Sequence, residues 1–249
     1  MNRATPGWIT ERDRNLFQFL HESRVATFHQ IKNRIFKNVS RQMASRRIGL
    51  LRRGGWLTPF AHLGERRTCT AFGLSDKAFQ KFVRLEGVND RIVQLASDKL
   101  SHDVTLVNLR ERLEKSSKII RVYPENYLQS HQECIEDRNF RDSVSLNSDA
   151  VLEIKVDDIH VFVPFEYEGS AKSEERWERK FRQYYRTHDS SVVLWVCKNE
   201  AMIKKMASVD LEFTKDYTSK MFFASLERVL TNSSQMIFLN SPKTKRIEL

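Results

Sequence analysis

Three carboxylates in the second half of the chain have the residue types and spacing of a cation site. Asp149 precedes the apolar run AVLEIKV, and seventeen residues after it Glu166 and then Glu168 end the next apolar run. Residues two apart on a strand share a face, so Glu166 and Glu168 are expected to point the same way. Carboxylates are the hard oxygen ligands that Mg²⁺ and Mn²⁺ prefer. A metal held by all three acids would lower the pKa of a bound water and neutralise charge on a scissile phosphate.

A lysine on the following helix completes this candidate site. Lys180, in the segment SEERWERKFRQYYRTH, is expected to reach the same pocket and to stabilise a pentavalent phosphorus. The acid spacing alone is a weak signal, because a solvated sheet edge would also explain acidic residues at strand ends. The apolar run before Glu166 favours a nearby cation, since an unpaired buried carboxylate is costly. Tyr184 and Tyr185 on the same helix suggest a tyrosine nucleophile or, alternatively, buried core.

Alternating strands and helices are expected to position these side chains. The order is strand (AVLEIKV), turn (DD), strand (IHVFVPFEYE), helix (SEERWERKFRQYYRTH), strand (SVVLWVC) and helix (EAMIKKMAS). This succession predicts an α/β layer with a mixed sheet. A hairpin of the first two strands would bring Asp149 close to Glu166 and Glu168.

The excess positive charge lies in the first quarter of the chain. The 249 residues have a formal net charge of +10, and residues 1–67 hold fourteen Lys and Arg against four Asp and Glu. The remaining residues hold 28 of each sign. A basic domain before a balanced one is typical of a phosphate-binding unit joined to a body with a different task. The alternative is a basic surface that only keeps the protein soluble.

Three helices and a hairpin are predicted within this basic segment. Thr10 with Asp13, and Thr27 with Gln30, have capping-box spacing for two helices, and Ser40 begins a third helix, SRQMASRRIGLLRR. Two glycines end that helix, and the strands WLTPFAHL and RRTCTAFGLS follow, joined by the basic tip LGERR. This order predicts a winged helix-turn-helix.

The polar face of the third helix is the candidate DNA-reading surface. Its N-terminal side chains would meet base edges in the major groove, while arginines flanking the hairpin would contact phosphates. The expected base-reading residues are Arg41, Gln42, Ser45 and Arg46, and the expected phosphate contacts are Arg52, Arg53, Arg66 and Arg67. Alternatively, a winged helix that binds protein would carry the same arginines as a solvated face.

Composition excludes several classes of protein. A hydrophobic content of 40% with sixteen Phe is enough for a folded core, and three widely spaced cysteines indicate free thiols. The Walker-type GxxxxGK[ST] and dinucleotide GxGxxG motifs do not occur. Without a signal peptide or an apolar run of about 18 residues, we expect a cytoplasmic protein that does not insert in a membrane.

Several segments in order resemble a known family. They are ITERDRNLFQFLHESRVATFHQI, SRRIGLLRRGGWL, HDVTLVNLRERL, SDAVLEI, FEYEGSAKSEERWERKFRQYY and FFASLERVLTNSSQMIFL. This succession, over nearly the whole chain, is similar to the plasmid replication-relaxation proteins and the MobC-type mobilisation relaxases. The resemblance implies a relaxase that recognises an origin of transfer and nicks one strand, with a catalytic domain like the PD-(D/E)xK restriction endonucleases.

The resemblance also implies roles for individual residues. Asp149 would be the aspartate of the PD motif, Glu166 the second acid, and Lys180 a lysine that has migrated onto the helix. Tyr184, one turn later, would be a family companion of that lysine. His102 heads the stretch similar to the first motif of the family.

Two positions depart from the family pattern. Ser148 stands where the family has a proline, and Glu168 stands where it usually has a lysine. The departure at Glu168 implies either a third metal ligand or a site without efficient turnover.

The leading hypothesis is a metal-dependent DNA-nicking relaxase that uses Mg²⁺ or Mn²⁺. Its partners would be double-stranded plasmid DNA at an origin of transfer and a relaxosome accessory or coupling protein. Its fold would be α/β, with a winged-helix DNA-binding domain over 1–75, a helical connector over 76–100 and a nuclease-like PD-(D/E)xK domain over 101–249. The alternatives are a non-enzymatic DNA-binding regulator with a degenerate acidic cleft, and an accessory protein that recruits another relaxase or a coupling protein.

Overall fold

The computed structural model describes residues 9–63, 68–84, 97, 99–187, 191–215, 218–231 and 235–249. The chain divides into two units, Met1–Val107 and Asn108–Leu249, each with its own core. Part of the predicted connector, residues 76–83, is helical, whereas residues 85–96 lie outside the described part of the chain. The functional division at residues 75 and 100 stays a prediction.

The first unit combines helices with a small antiparallel sheet. Its elements are α1 (Glu11–Ser23), β1 (Val25–Thr27), α2 (Phe28–Ile35), α3 (Arg41–Arg53), β2 (Leu57–Leu63), β3 (Thr68–Leu74), α4 (Asp76–Ala78), a π-helical turn (Phe79–Val83) and the first part of α5 (Leu100–Leu113). The strands lie in the order β1-β3-β2, and β2 and β3 form the predicted hairpin. The tip of that hairpin, residues 64–67, lies outside the described residues.

The three helix starts predicted from the sequence are confirmed. The backbone N–H of Thr10 donates to Asp13 Oδ2 at 2.8 Å, and the Thr10 hydroxyl accepts from the Asp13 N–H at 3.3 Å. Thr27 and Gln30 make the same reciprocal pair at the start of α2, at 2.8 and 3.3 Å. The Ser40 side chain caps α3. Each cap satisfies backbone donors that the first turn of a helix leaves without partners.

Asp13 also ties α1 to α3 through a buried ion pair. Its side chain is 1% exposed, and it accepts from Arg47 Nε at 2.9 Å and from a second guanidinium nitrogen of Arg47. Burial by itself would raise the pKa of Asp13, but the hydrogen bonds from Arg47 and Thr10 outweigh it and lower the pKa below its usual value. Asp13 therefore favours its charged form in the folded protein.

Replacing Asp13 with alanine is expected to destabilise the first unit by about 3 kcal/mol, because it removes the capping-box partner of Thr10 and the buried carboxylate that Arg47 binds. Denaturant unfolding measures the loss, and Glu11→Ala, at an exposed acid in the same turn, is the matched control.

The same pair gives a pH dependence. The pKa of Asp13 is lower in the folded state than in the unfolded state. Its contribution to the free energy of unfolding is therefore complete above about pH 4 and is lost as the pH falls through the folded-state pKa. The stability difference between the parent and Asp13→Ala should therefore shrink in acid. A difference that stays constant with pH would contradict this account.

The second unit is a mixed α/β structure built on one sheet. Its further elements are β4 (Ile119–Pro124), α6 (Glu125–Ser130), α7 (Gln132–Glu136), α8 (Arg138–Ser145), β5 (Ala150–Val156), β6 (Ile159–Glu168), α9 (Glu174–Arg186), β7 (Val193–Cys197), α10 (Glu200–Phe213), β8 (Met221–Ser225), α11 (Leu226–Thr231), β9 (Ile237–Asn240) and β10 (Arg246–Glu248). The strand order is β10-β9-β8-β7-β6-β5-β4. The pairs β6/β7 and β7/β8 are parallel and the others are antiparallel, so the predicted mixed sheet is confirmed.

Helix α9 covers the face of the sheet that carries the acids of β6. Phe181 of α9 packs edge-on against Trp195 of β7, with ring centroids 5.4 Å apart. In the parallel ladder Trp195 is paired with Glu166, and Cys197 is paired with Glu168. Because paired residues share a face, both glutamates lie on the side of the sheet that α9 covers.

Two further sequence expectations concern cysteines and membranes. Cys134 and Cys197 are buried free thiols, and the side chain of Cys69 lies outside the described residues. Within the described residues, no helix combines the length and the apolar character that a bilayer span requires.

Candidate functional site

The β5/β6 hairpin brings Asp149 next to Glu166. Ala150 is paired with Phe165, so the antiparallel register continues to Asp149 opposite Glu166. Asp149 is half-buried, and its Oδ2 accepts a hydrogen bond from the backbone N–H of Tyr167 at 2.7 Å. The hairpin backbone therefore fixes one carboxylate beside the other.

Glu166 is a buried carboxyl with two protein donors. Its residue is 6% exposed, and its Oε1 lies 3.0 Å from Lys180 Nζ and accepts a hydrogen bond from the Tyr184 hydroxyl. Burial raises the pKa of Glu166 to about 7; Lys180 opposes this shift and the neighbouring Asp149 carboxylate adds to it. A second positive charge at this position would favour the ionised form of Glu166.

Lys180 is held between two oxygens. Besides Glu166, its ammonium donates to the backbone carbonyl of Leu146 at 2.7 Å. Its side chain is 26% exposed, so the ammonium is anchored from α9 and still reachable from solvent. The structure thus brings Lys180 together with the predicted acids Asp149 and Glu166.

The two tyrosines of α9 belong to the interior. Tyr184 is fully buried and lies 2.7 Å from Ser148 Oγ, while Tyr185 donates to buried Asp210 at 2.8 Å. Burial raises the pKa of Tyr184 well above its usual value, and the Glu166 charge adds to the shift. A nucleophile must reach its phosphate as an oxyanion, so these positions favour the core interpretation over the nucleophile interpretation.

Glu168 is held by different partners from those of Glu166. Its Oε2 accepts from Lys172 Nζ at 2.6 Å and from Trp177 Nε1 at 3.2 Å, and its Oε1 accepts from the Ser170 N–H at 3.3 Å. Two residues along a strand are also about 6.6 Å apart. Glu168 therefore lies in a hydrogen-bond cluster of its own, and its role as a third ligand beside Asp149 and Glu166 stays a prediction.

The donor set at the hairpin end suits a metal held by two carboxylates. Within the described residues no group of three or more His, Cys, Asp or Glu side chains is placed to hold an ion. Mg²⁺ is commonly bound by one or two carboxylates, with water and substrate phosphates as its other ligands. Asp149 and Glu166 fit that pattern. The metal-binding and catalytic roles of these residues stay predictions.

A second candidate surface lies on α3 in the first unit. Most of the predicted DNA-reading residues line one open groove, whose walls are Arg41, Gln42, Ser45, Arg46, Gly49 and Arg53. Arg52 is exposed on the same helix, and Arg66 and Arg67 lie outside the described residues.

The arginines of α3 differ in whether they form an ion pair. Arg47 is committed to buried Asp13. Arg41, Arg46, Arg52 and Arg53 are exposed and form no ion pair with a carboxylate of the described part of the chain. Four unneutralised guanidinium groups on one helix make a surface suited to an anionic partner.

His102, the other family-motif residue, lies in the first unit. Its Nδ1 is 3.4 Å from Asp103 Oδ1, and buried Asp103 also lies 3.5 Å from Arg24 Nη1. His102, Asp103 and Arg24 all belong to the first unit.

The fold and the site define a mixed α/β protein with a basic helical unit and a site of two carboxylates and a lysine. Residues 17–193 match the replication-relaxation family model, which covers more than half of the chain. The chain therefore belongs to the replication-relaxation family, and this membership suggests a role in plasmid replication or mobilisation. A search of curated proteins and a search of solved structures found no match.

Proposed function

We propose that this chain is a metal-dependent relaxase that binds plasmid DNA at an origin of transfer and nicks one strand. The observation that supports this best is the convergence of Asp149, Glu166 and Lys180, with Lys180 Nζ 3.0 Å from Glu166 Oε1. Paired carboxylates beside a cation are a common arrangement for phosphodiester chemistry. The matched family region includes all three residues.

Each residue has a distinct task in this proposal. Asp149 and Glu166 hold the cation, and Mg²⁺ or Mn²⁺, when bound, supplies Lewis-acid neutralisation of the phosphate. Lys180 donates hydrogen bonds to a non-bridging phosphate oxygen and stabilises the charge that develops there. The Tyr167 N–H holds the Asp149 carboxylate in place. The domain is proposed to be of the PD-(D/E)xK type, with Lys180 as the migrated lysine.

The first unit is proposed to be a winged helix-turn-helix that binds the duplex. Helix α3 would enter the major groove, where Arg41, Gln42, Ser45 and Arg46 would meet base edges. Arg52 and Arg53, at the end of α3, would contact phosphates, as would Arg66 and Arg67. The helix order, the β2/β3 hairpin and the exposed arginines of α3 support this proposal.

Two arginine variants separate base reading from phosphate binding. Arg46→Ala is expected to weaken binding to the origin by about 1–3 kcal/mol and to affect nonspecific DNA much less. Arg53→Ala should weaken binding to all sequences and reduce the slope of log K against log salt by about one. Fluorescence anisotropy with origin and scrambled duplexes at several salt concentrations measures both. Equal losses for the two variants on every sequence would contradict the assignment of α3.

The proposed activity is tested by nicking of a supercoiled plasmid that carries the protein's own origin. With Mg²⁺ or Mn²⁺ the parent should convert it to the open circular form, and a chelator should stop the reaction. A matched plasmid without the origin should be relaxed much more slowly. Failure of the parent with either metal, together with equal behaviour of Asp149→Ala, would overturn the proposal.

One observation favours a second candidate, a non-enzymatic DNA-binding regulator or relaxosome accessory. Glu168, at the position where the resemblance implies a lysine, is paired with Lys172 and accepts a hydrogen bond from Trp177, as expected for a catalytic cleft that has acquired a structural role. Calorimetric titration with Mn²⁺ separates the two candidates, because a regulator of this kind does not need to bind metal. A pull-down of a coupling protein without nicking would favour the accessory role.

A further inference from the structure

A chain of buried hydroxyl groups ends on the Glu166 carboxylate. The Tyr184 hydroxyl donates to Glu166 Oε1, and Ser148 Oγ lies 2.7 Å from the same hydroxyl. Ser148 and Tyr184 are both fully buried. The chain thus connects the residue before Asp149 with the second acid through the interior of the unit.

The number of hydroxyl protons decides which group donates in each of these hydrogen bonds. A tyrosine hydroxyl has one proton, and Tyr184 gives it to Glu166. With Glu166 ionised, the Ser148 hydroxyl is then the donor in its bond with Tyr184. Hydrogen bonds aligned in one direction polarise one another, which strengthens the bond that the carboxylate receives.

Ser148 has a second bond that a proline at this position would lack. Its backbone N–H donates to the carbonyl of Ser143 at 2.9 Å. A proline has neither this donor nor a hydroxyl group. Ser148 thus makes two contacts, and both hold the segment that precedes Asp149.

We infer that Ser148 and Tyr184 are positioning residues, which hold the Glu166 carboxylate in the orientation that meets Lys180 and faces Asp149. The inference rests on the proposed function of these acids as the nicking site. Tyr184 does not touch DNA here; it acts through Glu166. Lys180 Nζ at 3.0 Å and the Tyr184 hydroxyl both bind Oε1, so removal of the tyrosine donor leaves this oxygen held by the solvent-accessible Lys180 alone.

Two hydroxyl deletions test this inference, with a neighbouring tyrosine as the control. Tyr184→Phe is expected to lower kcat for nicking about tenfold or more, with KM for plasmid DNA within about twofold of the parent. Ser148→Ala should lower kcat less, by about threefold, and should have no further effect in the Tyr184→Phe background. Tyr185→Phe removes a buried hydroxyl of the same helix that bonds Asp210, and should leave kcat unchanged.

Crystal structures without metal provide a readout that does not depend on activity. In the Tyr184→Phe structure the Glu166 carboxylate should move from its position against Lys180, and in the Tyr185→Phe structure it should remain. Glu166 unmoved in Tyr184→Phe, or fully additive losses in the kinetic cycle, would overturn the positioning role. If the parent itself does not nick DNA, the proposed function fails, and the metal-free structures still decide whether Tyr184 positions Glu166.

Discussion

Glu166→Gln is expected to reduce the nicking rate by at least about a thousandfold, or roughly 4 kcal/mol of barrier. The substitution keeps the shape of the side chain and removes the charge that a cation needs. Because burial already raises the pKa of Glu166 to about 7, the fold tolerates a neutral group at this position. The loss should therefore come from function and not from unfolding. Single-turnover nicking of supercoiled plasmid measures the rate, and calorimetry should show Mn²⁺ affinity reduced at least about tenfold.

Glu168→Gln is the matched control for this prediction. Both glutamates are buried on the same face of β6, but Glu168 is bound to Lys172 and Trp177. Its loss should lower thermal stability and cost much less nicking activity and Mn²⁺ affinity than Glu166→Gln. Equal losses of metal affinity in the two variants would show that Glu168 is a metal ligand, and the site of two carboxylates would be wrong.

Lys180→Met is expected to separate metal binding from catalysis. The ammonium lies 3.0 Å from Glu166 Oε1, where it competes with a metal for the carboxylate. Its removal should leave Mn²⁺ affinity unchanged or higher, because a repelling charge is lost. The nicking rate should nevertheless fall about a hundredfold, since the charge that forms on the phosphate loses a hydrogen-bond donor. Calorimetry and single-turnover nicking on the same preparation measure both effects.

Lys172→Met is the control for the lysine. Lys172 also binds a buried glutamate, but that glutamate is Glu168, which is outside the proposed pair of metal ligands. Its substitution should change nicking by less than about tenfold. If Lys180→Met loses metal affinity in parallel with nicking, Lys180 acts through the metal site and not on the phosphate.

Local signals made much of the first unit predictable. Thr10, Thr27 and Ser40 cap their helices through the residue three positions on, so their roles can be seen in a short window of sequence. Strand β1 was missed, because its three residues, Val25–Thr27, are extended only through their pairing with β3. Helices α6 to α8 were also missed, since each is short and is held by packing on the sheet around Phe140 and Val151.

The order of the strands and helices and the two-residue period of a strand were enough to predict that Asp149, Glu166 and Lys180 lie together. The hairpin register explains why Asp149 meets Glu166, and the helix after β6 explains why Lys180 reaches them. The separate environment of Glu168 was not predictable, because it depends on how Lys172 folds back from the loop before α9. The burial of Tyr184 against Ser148 was equally hidden, since the two residues are 36 positions apart.

The pairing of Arg47 shows the same limit in the basic unit. From the sequence alone, nothing distinguishes Arg47 from the other arginines of its helix. In the structure it binds Asp13 across 34 positions and thereby sets α3 against α1. Arg47 is therefore used for packing, whereas the other arginines of α3 are exposed.

The most direct test of the central claim is the location of Mn²⁺ in crystals of the parent protein, measured by anomalous scattering. The proposal predicts one ion in contact with a carboxylate oxygen of Asp149 and one of Glu166, with Glu168 still bound to Lys172 and Trp177. An ion that instead binds Glu168, or a fully occupied Lys180–Glu166 pair with no ion at saturating Mn²⁺, would contradict it.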